Sequence, residues 1–168
     1  MRQIPDYQLI DLFSIGHGRR CIKNFTGLLK QLEIDLLIDV RSNPYSRFNP
    51  QFRQNTLKES LAQADIDYLF LGDKLGGRPV DPALYINGLL SYEVVKQTNL
   101  FRAGISEVVD LVRQNIRVTL MCSESDQNQC HRKHLIADVL VKEGLTVLHI
   151  NKIDQLEKHQ SNLNLNLF

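Results

Sequence analysis

This chain carries almost no net charge. Twenty Lys and Arg stand against nineteen Asp and Glu, a formal +1. No global field therefore draws it to nucleic acid or to an anionic membrane, and any basic binding surface has to be local. A long apolar run is also missing: no window approaches the roughly 18 apolar residues of a transmembrane helix. The opening Met1, Arg2, Gln3, Ile4, Pro5 and Asp6 begin no apolar stretch of the kind a signal peptide needs. Cysteine is scarce and odd in number, with only Cys21, Cys122 and Cys130, which argues against a secreted disulfide framework and for reduced thiols in a cytoplasmic protein. No Cys-x-x-Cys pair occurs, so the spacing is not that of a zinc finger.

What the chain does have is ordinary globular composition, 43% hydrophobic and 23% charged over 168 residues. That length and balance predict one domain with a core of its own, spanning 1–168 with a body at about 9–159 and a polar tail at 160–168. Apolar runs alternate with helical patterns. Residues 9–15, 36–40, 67–71, 118–121 and 146–150 read as strands. Phe25, Leu28, Leu29 and Leu32 fall at helical spacing, as do Leu57, Leu61 and Ala64, and then Ile105, Val108, Val109 and Val112. Residues 89–95 suit a short helix, and a further helix after Cys130 is expected to end near Gly144, a suitable C′ residue. The segment 43–50, with Pro44 and Pro50, continues neither element and reads as a loop. This alternation predicts an α/β fold of three layers: a mainly parallel sheet of about five strands, helices on both faces. Right-handed crossovers put every strand's C-terminal end on one edge.

The most informative stretch runs from Cys122 to Arg132. A strand enters it and a helix leaves it, which gathers Cys122, Glu124, Cys130, His131 and Arg132 where α/β folds bind ligands. His17, Arg41 and the turn from Gly72 to Arg78 also follow strands and are predicted to share that edge.

At these residues the chain resembles DUF488, a family described only as a domain of unknown function. The matching pieces are Ser14 to Gly18, Ile38 to Phe52, Leu75 to Arg78, Met121 to Glu124, Cys130 to Arg132 and Val147 to Ile150. They cover roughly residues 12–159. The resemblance implies a compact α/β domain and no particular activity. The approach from Glu124 to Cys130 is longer here than the family's loop.

Three kinds of chemistry fit the edge. A strand-end cysteine facing helix N–H groups can have a lowered pKa and act as a nucleophile. Cys122 fits that role, with Glu124 and His131 assisting and Cys130 as a second thiol; the competing reading is that Cys122 simply packs under the loop. Cys21 has no motif around it and reads as structural. A metal is the weakest of the three, because Cys130 and His131 are adjacent and would struggle to share one ion in a regular helix, so no metal is assigned and any cofactor stays open. The third is an anion site built from His17, Arg41, Arg47, Arg78 and Arg132, since arginine presents a planar charged fork to phosphate or carboxylate. Tyr45, Phe48 and Phe52, interleaved with Arg47 and Arg53, suit base stacking. Two functional readings follow: a thiol-dependent enzyme acting on an anionic, phosphate- or nucleotide-containing ligand, and a nucleic-acid or nucleotide-binding module without catalysis. A weaker third makes Leu163, Leu165, Leu167 and Phe168 a contact for a partner or a second copy.

Overall fold

A computed structural model of the chain describes residues 10–161. The C-terminal contact of Leu163 to Phe168 therefore lies outside the described residues, as does Leu9 of the first strand run. A six-stranded sheet forms the centre, in the order β3-β2-β6-β1-β7-β8. Its strands are β1 (Leu12–Gly16), β2 (Leu36–Asp39), β3 (Asp67–Phe70), β6 (Val118–Cys122), β7 (Val147–Ile150) and β8 (Leu156–Lys158). All neighbours are parallel except β7 and β8, which are antiparallel. The expected mainly parallel α/β sheet is present. The added strand is β8, whose sequence is polar on a sheet edge and carries no apolar run to announce it. A second small addition is the hairpin β4 (Tyr85–Ile86) and β5 (Leu89–Leu90). It occupies the start of the segment expected as a short helix, while the helix itself, α4 (Tyr92–Gln97), comes later.

The inner strands are buried on both faces, which is why they read as continuous apolar runs. Alternation still sorts their residues. Leu12, Ile38, Val118, Leu120, Cys122 and Val147 belong to one core. It is closed by α3 (Gly72–Leu75), α4, α5 (Asn99–Arg113) and α6 (Asp138–Lys142). Phe13, Ile15, Leu37, Met121, Leu148 and Ile150 belong to the other, closed by α1 (Ile22–Gln31) and α2 (Gln54–Ala62). The chain leaves β1 toward β2 and β3 on one side, then returns through β6 to β7 on the other. The direction reverses between β1 and β6, and the ends of these two strands are where such a sheet opens a crevice.

The helix expected directly after Cys130 is not regular. Residues Arg132–Ala137 form a π-helical turn that passes into α6. The wider turn lets Arg132, Leu135, Ile136 and Ala137 all be buried together, and such turns concentrate at functional sites. Gly144, with φ +92°, ends the helix as expected.

Candidate functional site

The parallel register sets Gly16 beside Cys122, and the His17 and Gly18 amides donate to the Cys122 and Ser123 carbonyls at 2.9 and 3.0 Å. A Cβ on Gly16 would lie 1.6 Å from the Glu124 carbonyl oxygen, so only glycine lets the thiol loop fold back over β1. Gly77 does a similar service, since a Cβ there would lie 2.7 Å from the His131 ring. The glycines of both strand-end turns thus shape one site.

Cys122 and Cys130 meet at its centre, Sγ to Sγ 2.7 Å, both free thiols and both buried. The Arg132 side chain is wholly buried beneath them. Its guanidinium donates to Cys122 Sγ at 2.7 Å, to the Glu124 carbonyl at 2.8 Å and, through Nε, to Ser14 Oγ at 3.2 Å. Its second terminal nitrogen has no hydrogen-bond partner among the described residues. Cys130 Sγ lies 3.4 Å from the Glu124 carboxylate and the same distance from the Arg132 amide, with His131 Nδ1 at 3.6 Å. His131 Nε2 donates to the Val40 carbonyl at 3.1 Å, leaving Nδ1 as the ring atom that faces the thiol.

Two thiols this close cannot both ionise readily, and the pair loses its first proton at one sulfur. Cys130 takes the charge. The hydrogen bond from Cys122 comes first, and with His131 and Arg132 it brings the Cys130 thiol down to about 5 against the cost of burial. Burial, and then the bond to Cys130, push Cys122 well above the ordinary thiol range, with Arg132 pulling the other way. Either cysteine fits a lowered pKa by its place in the sequence, and burial with hydrogen bonding favours Cys130. Burial by itself would raise the Glu124 carboxyl, but the hydrogen bond from the Cys122 side chain, with a backbone donor, holds it below its usual value.

The arginines separate into two groups. Arg41 is buried and spent: it donates to both carboxylate oxygens of Asp39, at 2.9 and 2.6 Å, and to the Phe52 carbonyl at 2.8 Å. Tyr68 adds its hydroxyl to the same carboxylate at 2.8 Å. Arg47 and Arg78 are exposed and free to meet a ligand, but neither hydrogen-bonds to the thiol pair. His17 is buried and stacked on Phe52, centroids 4.4 Å apart. Its Nδ1 donates to the Gly18 carbonyl at 2.9 Å, and its Nε2 is buried without a partner among the described residues. Burial lowers its pKa to about 4. It is therefore a neutral acceptor near pH 7, better suited to a ligand's N–H or O–H than to an anion. Phe52 is fully buried under His17 and Phe25 and cannot stack on a base. Cys21, expected to be structural, is exposed.

Beside the thiol loop lies a cleft of about 580 Å³ lined by Gly18, Arg19, Arg20, Ser123, Glu124, Ser125 and Lys152. Arg19 and Lys152 give it a basic wall that composition alone could not reveal. Arg20 is held there by an ion pair with Asp154 and a bond to the Asn151 carbonyl. Cys122, Glu124 and Cys130 also bring three metal-type donor atoms within 4.8 Å of one another. Two thiolates about 2.3 Å from one tetrahedral ion stand nearly 4 Å apart, so an ion would require the sulfurs to spread and the guanidinium to leave Cys122. As placed, the cluster fits a shared proton.

The family described as "Domain of unknown function DUF488" matches residues 21–140. No curated protein matches the chain, and no solved structure does.

Proposed function

The chain belongs to the DUF488 family, and since that membership specifies no reaction, we propose from the geometry that it is a dithiol enzyme acting on an anionic ligand. The observation that carries this reading is the 2.7 Å approach of Cys122 and Cys130 above a buried guanidinium with one nitrogen unpaired. Cys130 is the attacking thiolate. His131 Nδ1 takes its proton, and the Arg132 amide steadies the sulfur. Cys122 is the resolving thiol.

On a disulfide substrate the step balances as exchange. Cys130 sulfur bonds to one substrate sulfur, and the other leaves as a thiolate that takes up a proton. Cys122 then gives up its proton and displaces the first substrate sulfur, closing a Cys122–Cys130 disulfide. The substrate is reduced by two electrons and the protein oxidised by two, and an external thiol restores the dithiol. Arg19 and Lys152 in the cleft attract the substrate's negative charge.

The test uses protein carrying Cys21→Ser, so that only the paired thiols report. Oxidised glutathione, which is anionic, and cystamine, which is cationic, are supplied separately, and mass spectrometry follows the products. The expected result is a Cys122–Cys130 disulfide that forms faster with the anionic disulfide, and a trapped mixed disulfide on Cys130 when Cys122→Ala is added. No thiol modification by either reagent, or equal rates with both, would remove the respective half of the reading.

One observation favours a second reading. Phe48 and Tyr45 are 85% and 57% exposed, with the guanidinium groups of Arg47 and Arg53 within 5.7 and 4.7 Å of their rings. Such a surface suits a single-stranded nucleic acid. Binding of an oligonucleotide that weakens with salt and with Phe48→Ala would support it, and salt-independent binding would not.

A further inference from the structure

Beneath the thiols runs a chain of buried polar groups that the exchange chemistry does not use. Ser14 Oγ, which receives the Arg132 Nε–H, lies 2.6 Å from His149 Nδ1. His149 Nε2 lies 2.9 Å from His159 Nδ1, and His159 Nε2 lies 2.8 Å from an Asp138 carboxylate oxygen. Ser14, Arg132, His149 and His159 are all buried, and Asp138 sits at the rim with its side chain 18% exposed. Four separate elements are needed to assemble it. The β1–β7 register pairs Ser14 with His149. Strand β8 delivers His159, whose amide donates to the Val147 carbonyl at 2.8 Å. Asp138 opens α6.

Both ends of this chain have a fixed sense. A guanidinium only donates, and a carboxylate only accepts. With one proton on each ring, His159 gives its Nε2–H to Asp138 and so accepts at Nδ1. His149 then donates from Nε2 and accepts at Nδ1. That acceptor takes the Ser14 hydroxyl proton, which turns the Ser14 lone pairs toward Arg132. Burial, with the nearby Arg132 and Lys133 charges adding to it, lowers His149 to about 3 and keeps it neutral. A buried network of this kind is stable only when every member is satisfied.

We propose that Asp138, His159 and His149 are positioning residues that act through Ser14 to hold the Arg132 guanidinium against Cys122. Arg132 is the only member of the chain that touches a thiol. Its Nη1 must meet both Cys122 Sγ and the Glu124 carbonyl, and its Nε contact with Ser14 fixes the rotation of the planar group. Released from Ser14, the guanidinium can turn away and the thiol pair loses its nearest full positive charge. The role of the chain in thiol chemistry rests on the dithiol reading, but its hold on Arg132 does not.

The experiment separates the two. In ¹⁵N-labelled protein with Cys21→Ser, the Arg132 Nε–H signal is identified by its loss in Arg132→Lys, and its exchange with solvent is measured. Thiol alkylation by iodoacetamide is followed against pH in the same samples. Asp138→Leu and Ser14→Ala are expected to speed exchange of that proton and to move the alkylation profile up by about one pH unit, roughly tenfold in rate at fixed low pH. Asp138→Asn keeps an acceptor for His159 and should preserve both. If Ser14→Ala fails to fold, the rim variants at Asp138 still decide. An Arg132 signal unchanged in Asp138→Leu, or Asp138→Asn as damaged as Asp138→Leu, overturns the proposal. A responsive Arg132 signal alongside thiols that alkylate only in the ordinary range would instead overturn the dithiol reading and leave the positioning role standing.

Discussion

Replacing the thiol pair should change how stability depends on pH, and the size of the change follows from the site. An ordinary thiol titrates near 9, and the hydrogen bond from Cys122, with His131 and Arg132 nearby, lowers Cys130 in the folded protein to about 5. A group whose folded pKa is depressed contributes stability that is complete above the unfolded value and is lost as pH falls toward the folded one. Between about pH 5 and pH 9 the contribution therefore grows with pH, at about 1.4 kcal/mol per unit. From pH 5, where the folded thiol is half ionised, to pH 7 that amounts to about 2 kcal/mol. The raised Cys122 stays protonated in both states over this window and adds nothing to the slope. His17 and His149 also destabilise the protein as pH falls below about 6.5, because both are buried neutral, but they do so equally in a variant that keeps them. Urea denaturation of the Cys21→Ser protein, with and without Cys122→Ala plus Cys130→Ser, under reducing conditions at pH 5 to 8, isolates the thiol contribution. The expected difference between the two proteins widens steadily as pH rises from 5 to 7. A difference constant in pH would mean that no thiolate forms at the site, and the assignment of Cys130 as the charged sulfur would fall.

Arg41→Met leaves the Asp39 carboxylate buried and unpaired, since the two side chains are 4% and 0% exposed. It should cost about 3–5 kcal/mol in a denaturant melt, whereas Arg47→Ala should leave the melt unchanged. Gly16→Ala places a methyl 1.6 Å from the Glu124 carbonyl. The resulting shift of the thiol loop should raise the pH of thiol alkylation and cost more than about 4 kcal/mol of stability. Glu124→Gln removes a negative charge 3.4 Å from Cys130 Sγ, so the alkylation profile should move down by about one pH unit. An upward move would show that the carboxylate acts instead as the thiol's proton acceptor.

The order of strands and helices was legible because a strand buried on both faces has to be a short continuous apolar run, and a covering helix has to repeat its apolar face. The inner strands and the helices around Leu29, Leu61 and Val108 came through on those patterns. Strand β8 did not, because an edge strand is half exposed and its sequence is free to be polar. The gathering of Cys122, Cys130, His131 and Arg132 was also legible, since a parallel sheet sends every strand's end to one edge. What lay outside the sequence was the division of labour at that edge. Arg41, Arg47, Arg78 and Arg132 look equivalent as letters, yet burial makes Arg41 a partner of Asp39 and Arg132 a partner of a thiol, and leaves Arg47 and Arg78 to solvent. Phe52 and Phe48 look equally able to stack, yet one is core and the other is 85% exposed. The choice between the two sulfurs, and the line from Asp138 through His159 and His149 to Ser14, depend on contacts between residues far apart in the chain. Local patterning determines which face a residue takes within its own element. Which distant group it meets there, and therefore its charge and its proton, is decided only when the elements pack.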